Sequence, residues 1–394
     1  MKLFLIKIGK VWSVLRRDGL KRGGTRVWSA FIALFRFVRA GNVLFITGGV
    51  GDSARYRTEH VAEELGHQGI LASVTVQDNP FLASYADKFS IFIFHRVLYT
   101  SSVAKLIARI KEQGKEIIFE TDDLVYDPAF LGHMDYFKQM NRLERKLYEN
   151  GVGGEILTDP YVKVCTTSTE YLARKLQEKG KKVFIVKNKL SKKDVTDVKL
   201  ALQDVKKDSN LVRIAYFSGT PSHNKDFATI TPVLEKILAS HPEVRLVLAG
   251  PLDTEDRLNQ RFAEQIERVP FAPRPEHFRN IAEVDINLAP LEIGNPFCES
   301  KSELKWFEAG IVGVPTIASA TEPFREAITD GVDGFVAATE AEWEEKLEKL
   351  VTDQEFRKTM GENARQTVLS QYTVLVEDDL DYYEFLKSKL TAKV

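Results

Sequence analysis

The stretch Phe297–Ser319, FCESKSELKWFEAGIVGVPTIAS, joins a helix start, a carboxylate and the entry of a buried strand. Ser300 followed by Glu303 fits the capping box, in which two side chains satisfy unpaired N–H groups at a helix N-terminus. That terminus carries a partial positive charge that favours phosphate, and Lys301 and Ser302 add a cation and a hydroxyl group. The pattern predicts a site for a charged small molecule, although most helix termini in α/β proteins bind only water.

The remainder of this stretch predicts the body of the helix and the next strand. Leu304, Phe307 and Ile311 recur at helical spacing and give the helix a buried face. Glu308 lies at the border of that face. Val314–Ala318 is an apolar run behind a glycine, which indicates a buried strand.

Apolar runs upstream predict further strands of the same sheet. They are Arg213–Phe217, Arg245–Ala249 and Asp285–Ala289. Gly219 follows the first run and Gly250 the second. Because open α/β sheets bind ligands outside the carboxyl ends of their strands, we expect both glycines to border a ligand.

The region from about residue 211 to residue 372 resembles the C-terminal half of retaining nucleotide-sugar glycosyltransferases of family 4, the group 1 enzymes. The segments that carry the resemblance are YFSGTPSHNKD, LVLAGP, DINLAPLEIGNPF and KSELKWFEAGIVGVPTIAS. The resemblance implies an α/β fold of the GT-B type, with two facing Rossmann-like domains, mainly parallel sheets and a cleft between them. It also implies a nucleotide-diphosphate-sugar as donor substrate, with no metal ion or other cofactor.

The resemblance also implies roles for individual residues. Lys225 occupies the place of the lysine that grips the donor diphosphate, and Glu308 that of the glutamate that holds the ribose hydroxyls. Ser300 stands where the family usually has a second glutamate that contacts the donor sugar, and Glu299 is its neighbour. Thr220 stands where an arginine is usual.

Two residues are candidates for the positive charge that Thr220 does not supply, namely His223 and Lys301. The form KSELKWFE, with Lys305 three residues before the glutamate, resembles a recurring subgroup of the family. We therefore interpret the departures as variation within a working transferase.

The first half of the chain predicts a second Rossmann-like domain. Asn42–Thr47 is a buried strand followed by GGVG, but this loop lacks the third glycine of the dinucleotide-binding fingerprint. Gly49 is then explained by a close approach of backbone to a ligand or to the opposing domain. Arg55 and Arg57 follow in the next helix, where they could grip an acceptor phosphate; ordinary surface arginines are the equal alternative.

Polar residues follow two more strands of this domain. The strand Ser90–Phe94 delivers His95 to its carboxyl end, where the family often has a group that contacts the donor sugar. Asp122 and Asp123 follow the strand Glu116–Glu120. A metal site is one interpretation of such a pair; we prefer a helix cap or a ligand of acceptor hydroxyls, and expect no metal.

Composition and charge constrain the class of protein. The chain has 394 residues, 44% hydrophobic and 28% charged, and its net charge is −1. Cys165 and Cys298 match no metal-ligand spacing, which favours a reduced, cytoplasmic protein. Residues 1–40 hold ten lysines and arginines against one acidic residue.

The basic segment 1–40 contains helical apolar stripes that are too short to cross a bilayer. We expect it to lie on an anionic membrane surface, which would place the protein on the inner face of the cell membrane. Helices packed on the first domain are the alternative. A secretory signal peptide fits poorly, and binding to nucleic acid is disfavoured because no recognition motif accompanies the charge.

The predicted domain boundaries follow from these patterns. They are a basic segment at 1–40, an acceptor domain at 41–190, a linker at 191–210, a donor domain at 211–371, and a terminal helix at 372–394 that crosses back to the first domain.

The predicted function is transfer of a sugar from a nucleotide-diphosphate-sugar to a hydroxyl of a glycan or lipid-linked oligosaccharide, in bacterial cell-surface polysaccharide synthesis. A second hypothesis is a catalytically impaired protein of the same fold that binds nucleotide-sugars or acts as a scaffold. A phosphorylase or epimerase on a similar frame is a third and weaker one.

Overall fold

The computed structural model describes residues 24–391, apart from 25–26, 29–30, 36–37, 135–136, 138–139, 141, 204, 206, 208–209 and 220–223. The described chain divides into two compact units. The first contains residues 24–132, 137–189 and 377–391, and the second contains residues 133–134 and 190–376.

The first unit is built on a six-stranded parallel sheet with the strand order β2-β1-β3-β4-β5-β6. Its central strands are continuous apolar runs because helices cover both faces of a parallel sheet. The strands are β1 Val43–Thr47, β2 Ala72–Val76, β3 Ile91–His95, β4 Glu116–Glu120, β5 Val164–Thr167 and β6 Lys182–Ile185.

Helices connect these strands, and several begin at a threonine that accepts a hydrogen bond from a backbone N–H, as Thr100 and Thr169 do. The helix after β1 contains a π-helical segment, Arg55–His60, between two α-helical parts. The α-helices of this part are α1 Asp52–Ala54, α2 Val61–His67, α3 Ser101–Glu112, α4 Arg142–Tyr148, α5 Gly154–Thr158 and α6 Glu170–Gln177. The 3₁₀ helices are Leu82–Asp87, Leu124–Tyr126 and Pro128–His133.

The second unit has its own six-stranded parallel sheet, with the order β12-β11-β10-β7-β8-β9. Its strands are β7 Val212–Phe217, β8 Val244–Ala249, β9 Ile266–Val269, β10 Ile286–Ala289, β11 Thr316–Ser319 and β12 Phe335–Ala337. Its helices are α7 Lys192–Ala201, α8 Asn224–Ala228, α9 Thr231–Ser240, α10 Asp256–Arg261, α11 Arg274–Ala282, α12 Pro296–Glu299, α13 Leu304–Gly310, α14 Glu322–Ala327, α15 Glu340–Thr352 and α16 Gln354–Gln371, with a 3₁₀ helix at Ala263–Gln265. The α/β class expected from the sequence is confirmed.

The predicted linker 191–210 is wrong for its first half, because residues 192–201 form α7. Ser191 and Asp194 make a capping box at its start, and Val198 and Ala201 are buried. Few apolar residues mark this helix, so its pattern resembled a linker. Part of the stretch that follows lies outside the described residues.

The last helix of the chain, α17 Leu380–Thr391, belongs to the first unit. Tyr382, Tyr383 and Leu386 are buried, and the ring of Phe184 on β6 lies 5.6 Å from that of Tyr382. These side chains belong to the apolar cluster that packs the helix onto the first sheet.

A buried charge cluster holds the start of this returning segment. The Lys189 ammonium forms ion pairs with Glu64, Asp378 and Asp379. The Tyr383 hydroxyl donates to the Glu64 carboxylate. Burial raises the pKa of Glu64 to about 7, against the opposing charge of Lys189.

No helix among the described residues combines the length and the apolar composition required to span a bilayer.

Candidate functional site

The carboxyl end of the second sheet brings two glycine-containing turns together. Gly250, after β8, has a φ of 84°, and a Cβ atom there would lie 2.0 Å from the Ser218 carbonyl oxygen. The Ser218 N–H donates to the Ala249 carbonyl at 2.8 Å. Glycine is therefore required at position 250 for this close approach. By contrast, a Cβ atom on Gly219 would meet no atom within 4 Å in the described structure.

Lys225 lies on α8, shortly after the turn at Gly219, and its side chain is exposed. The adjoining residues 220–223 include the predicted Thr220 and His223 and lie outside the described residues. Asp226, next to Lys225, is buried and accepts a hydrogen bond from the Cys298 thiol at 3.2 Å. Burial raises the pKa of Cys298, so its sulfur is a protonated thiol.

The predicted capping box at Ser300 and Glu303 is wrong. The Ser300 hydroxyl donates to the Phe297 carbonyl at 2.8 Å, and Ser300 is the C-cap of α12. The structure instead forms two helices. α12 begins after Asn295, whose side chain accepts from the Phe297 N–H and which precedes a proline, and α13 begins after Glu303, which makes no side-chain cap. An Asn-Pro pair is itself a helix-start signal, and it lay five residues upstream of the predicted cap.

The polar residues around this turn have different surroundings. The carboxylate of Glu299 accepts from the backbone N–H groups of Gly294, at 2.9 Å, and Glu322, at 3.1 Å. Its hydrogen bonds therefore join the turn before α12 to the start of α14. Lys301 and Ser302 lie between α12 and α13 and are half-buried.

Glu308 lies on α13 and is buried. Its carboxylate forms an ion pair with Arg274 of α11 and lies 3.4 Å from Nε2 of His277. Arg274 also pairs with Asp194 of α7 at 2.7 Å. Asp194, Arg274 and Glu308 form a chain of charges with little solvent exposure, and His277 lies beside it.

Sequence reasoning missed Arg274 and His277. Their i, i+3 spacing, which places both on one face of a helix, was the only available signal. It is a common spacing, and the partner Glu308 is 34 residues away from Arg274 in the sequence.

Lys305 is a further residue to which sequence reasoning gave no role. Its ammonium donates to the carbonyl of Phe217, the last residue of β7. The nitrogen lies 4.8 Å from the centroid of the Tyr216 ring, a cation–π distance. Burial lowers the pKa of Lys305 to about 8.

At the carboxyl end of the first sheet, His95 is held in a buried hydrogen-bond network. Its Nδ1 lies 3.1 Å from the Thr47 hydroxyl, and its Nε2 lies 3.1 Å from the Ser53 hydroxyl. The Ser53 hydroxyl also donates to Asp122 at 2.7 Å. Three adjacent strands and the helix after β1 thus supply a connected set of polar groups.

Arg96 links this network to the predicted aspartate pair. It forms ion pairs with Asp122 at 2.5 Å and Asp123 at 2.6 Å, and its φ of 48° is a strained conformation for a residue other than glycine. Burial opposes ionisation of Asp122, but the charge of Arg96 and hydrogen bonds from His95 and Ser53 hold its pKa well below the ordinary value. Asp123 also caps the helix that follows, as expected for one member of the pair.

The predicted role of Arg57 as a grip for acceptor phosphate is wrong. Its side chain has no solvent exposure and pairs with Glu120 through two hydrogen bonds, of 2.8 and 3.1 Å. It also donates to the Val186 carbonyl and to Asn188. Arg55, in contrast, is partly exposed and pairs with exposed Asp52.

The loop after β1 approaches β3 closely at Gly48, where a Cβ atom would lie 1.9 Å from the Arg96 carbonyl oxygen. Gly49, the residue predicted to border the acceptor, is exposed. The Thr47 hydroxyl donates to its carbonyl at 3.1 Å.

Comparison with known proteins adds a family match over part of the chain. Residues 231–375 match the model of a family described as glycosyl transferase-like. This match is shorter than half of the chain; it includes Glu308 and does not reach Lys225. No curated protein matches the chain in sequence.

Solved structures similar to the chain cover most of its length at low sequence identity. Sucrose-phosphate synthase from Thermosynechococcus elongatus has a TM-score of 0.60 at 12% identity, covering 89% of this chain and 100% of that one. The Anabaena protein HepE, in complex with UDP and glucose, has a TM-score of 0.55 at 13% identity with the same coverage. WaaG, a glycosyltransferase involved in lipopolysaccharide biosynthesis, has a TM-score of 0.54 at 14% identity, covering 87% and 99%. The fold is GT-B.

Within this GT-B chain, the second unit gathers two predicted residues with three that were not predicted. Glu308 lies with Arg274 and His277, and the charges of Glu308 and Lys301 both act on Lys305. The first unit gathers His95 and Asp122, joined through Ser53.

Proposed function

We propose that the chain is a glycosyltransferase that moves a sugar from a nucleotide-diphosphate-sugar to a hydroxyl group. The observation that carries this proposal is the position of Glu308. It is a buried carboxylate on α13, and it lies in the segment that matches the glycosyl transferase-like family. Ribose hydroxyls are hydrogen-bond donors, and a fixed carboxylate is the acceptor that suits them.

The main charge that develops during transfer is that of the leaving diphosphate. Lys225 and Lys301 are the proposed groups that stabilise it, and one well-placed donor of this kind contributes about 3 kcal/mol to transition-state stabilisation. The resemblance to family 4 supports retention of the anomeric configuration, by a reaction that uses no enzymic nucleophile and no metal ion.

In the first unit, His95 and Asp122 are the proposed contacts to sugar hydroxyls. Asp122 is held ionised by Arg96 and therefore accepts hydrogen bonds. Since Arg57 is buried in an ion pair, the proposed acceptor contact is this carboxylate together with the exposed backbone at Gly49.

A thermal-shift panel of UDP, GDP, ADP and dTDP tests the donor class. We expect one of them to raise the melting temperature of the chain, because a ligand at about 100 times its Kd adds about 2.7 kcal/mol of stability. Lys225→Ala should reduce that shift. Lys236→Ala should not, because Lys236 is an exposed lysine that pairs with Glu344. A panel in which no nucleoside diphosphate shifts the melting temperature would sink the proposal.

A nucleotide-sugar-binding protein without transfer activity is the second candidate, and one observation favours it. Glu299 and Ser300 stand where the family places its contact to the donor sugar, and both make hydrogen bonds within the fold. Binding of a nucleotide-sugar without release of nucleoside diphosphate, in the presence of glycan and lipid-linked acceptors, would support this alternative.

The N-terminal segment supports a proposed location on the inner face of a bacterial cell membrane, with a lipid-linked acceptor. Residues 1–23 lie outside the described residues, but helical residues that follow expose Trp28, Phe31 and Phe35, of which Trp28 is 62% exposed. The rings of Trp28 and Phe31 stack with centroids 5.6 Å apart. Exposed aromatic rings beside basic residues are typical of helices that lie in a lipid interface.

We expect the full chain to sediment with vesicles that contain phosphatidylglycerol, and deletion of residues 1–40 to abolish this while nucleotide binding remains. The double variant Phe31→Ser, Phe35→Ser should weaken sedimentation, because apolar burial and charge attraction act together. Phe81→Ser removes an equally exposed aromatic ring elsewhere and serves as control. Undiminished sedimentation of the deletion variant would contradict the proposed location.

A further inference from the structure

The side chain of Lys305, on α13, reaches the end of β7, just before the turn at Gly219. Its ammonium donates to the Phe217 carbonyl at the strand end and stands over the Tyr216 ring. Lys305 precedes Glu308 by three residues on α13, so the two side chains share a face of the helix.

The charge of Lys305 has no direct partner in the described part of the chain, where no carboxylate forms an ion pair with it. Glu308 and Asp226 act on it from a distance. Glu308 is already paired with Arg274, and Asp226 accepts from the Cys298 thiol. Lys301 adds a repulsive positive charge.

An ammonium group has three N–H donors, and the Phe217 carbonyl accepts from one of them. A half-buried charge without a counter-ion costs free energy, which is what the lowered pKa of Lys305 reflects. A nearby anion would stabilise such a group.

We propose that Lys305 binds the diphosphate of the donor nucleotide, an inference that rests on the proposed function. Three residues of an α-helix span about 4.5 Å along its axis, so residues 305 and 308 are close together. A single nucleotide could therefore place its ribose at Glu308 and its phosphates at Lys305. Lys305 is therefore a donor-binding residue in addition to Lys225 and Lys301.

Lys305→Met tests this inference because methionine keeps the apolar stem and removes the charge. We expect the variant to lose tenfold or more in affinity for the nucleoside diphosphate that binds the wild type, and for inorganic pyrophosphate. Affinity for the corresponding nucleoside should stay within twofold. Lys305→Arg should restore part of the diphosphate affinity, and Lys236→Met, at an exposed lysine, is the matched control.

The stability of the ligand-free variant distinguishes a binding role from a structural one. Replacing an unpaired, half-buried charge by an apolar side chain should leave the melting temperature unchanged or raise it. A structural lysine would show the reverse, with a lower melting temperature and equal losses of nucleoside and diphosphate affinity.

The pH dependence gives a second readout. Since the protonated amine binds the anion, wild-type diphosphate affinity should fall toward that of Lys305→Met as the pH rises above the pKa of about 8. The groups that face Lys305 are Glu308, Asp226, Lys301 and Tyr216. In Lys305→Met this loss of affinity above pH 8 should disappear.

The results of these binding experiments distinguish the proposed role of Lys305 from the proposed function of the chain. If the wild type binds a nucleoside diphosphate and Lys305→Met binds it equally well, the role of Lys305 is wrong and the proposed function stands. If pyrophosphate binds through Lys305 but no nucleoside diphosphate binds, the anion site stands and the proposed function fails. If neither ligand binds the wild type, both are wrong.

Discussion

Arg57→Met should lower the free energy of unfolding of the first unit by about 3–5 kcal/mol, the typical cost of removing one partner of a buried ion pair. The loss is large because Glu120 would remain buried without its cation. The Val186 carbonyl and the Asn188 side chain would also lose a donor. A unit of this size has only about 5–15 kcal/mol of stability, so partial unfolding at 37 °C is expected.

Hydrogen exchange measured by mass spectrometry is the suitable readout, because it reports on the two units separately. Amides of β1 and β4 should exchange faster in Arg57→Met, whereas those of β7 and β8 should serve as the internal reference. Arg55→Met is the matched control, since its partner Asp52 is exposed and such a pair contributes less than about 1 kcal/mol. Equal exchange in the two variants would show that the buried pair does not stabilise the unit.

A double variant adds a further check. Arg57→Met combined with Glu120→Gln removes both charges, so it should be more stable than Arg57→Met alone. The Thr166 hydroxyl, which donates to the Glu120 carboxylate, can still donate to the glutamine oxygen.

The central strands of both sheets could be predicted from the sequence because burial on two faces leaves a local record, whereas the edge strands β2, β9 and β12 were not predicted. Runs such as Ile91–Phe94 are apolar at every position, and each is followed by a turn or a polar residue. The position of His95 at a strand end follows from the same run. For these strands, the local pattern of apolar residues is sufficient to predict their position in the sheet interior.

The surroundings of Arg57 could not be predicted in this way. An arginine two residues after another reads as a surface charge unless its partners are known, and Glu120 and Asn188 lie 63 and 131 residues away. The same reason hid Arg274 and Lys305, whose contacts are a carboxylate and a strand-end carbonyl far along the chain. The partners of these buried contacts are far apart in the sequence, so local residue spacing does not predict them.

The capping-box error has a different cause. Two helix-start signals lie within eight residues, and the predicted cap was placed on the serine and glutamate at 300 and 303 instead of on Asn295. The structure uses the asparagine, followed by a proline, and divides the stretch into α12 and α13. Neither Ser300 nor Glu303 caps a helix with its side chain, so the capped helix start on which the phosphate prediction was based is not formed.

Glu308→Gln should lower kcat/KM for sugar transfer by about 10- to 150-fold, which corresponds to about 1.5–3 kcal/mol for a hydrogen bond to a charged group. Glutamine retains an oxygen that accepts from Arg274, so α13 should stay folded. It removes the charge that is proposed to accept hydrogen bonds from the ribose hydroxyls. We therefore expect weaker nucleotide binding with a change in melting temperature of only a few degrees.

Glu299→Gln is the control variant, for which we expect an effect on stability and little effect on nucleotide binding. One carboxylate oxygen of Glu299 accepts from the Gly294 N–H and the other from the Glu322 N–H, and glutamine can keep only one of these bonds. The variant should therefore have a lower melting temperature and a nucleotide affinity within a few-fold of wild type. Release of nucleoside diphosphate from the donor, measured with the nucleotide that binds best, gives kcat/KM for both variants. If Glu308→Gln kept wild-type kcat/KM, the buried carboxylate would be a purely structural partner of Arg274, and the ribose contact would have to be sought on another residue.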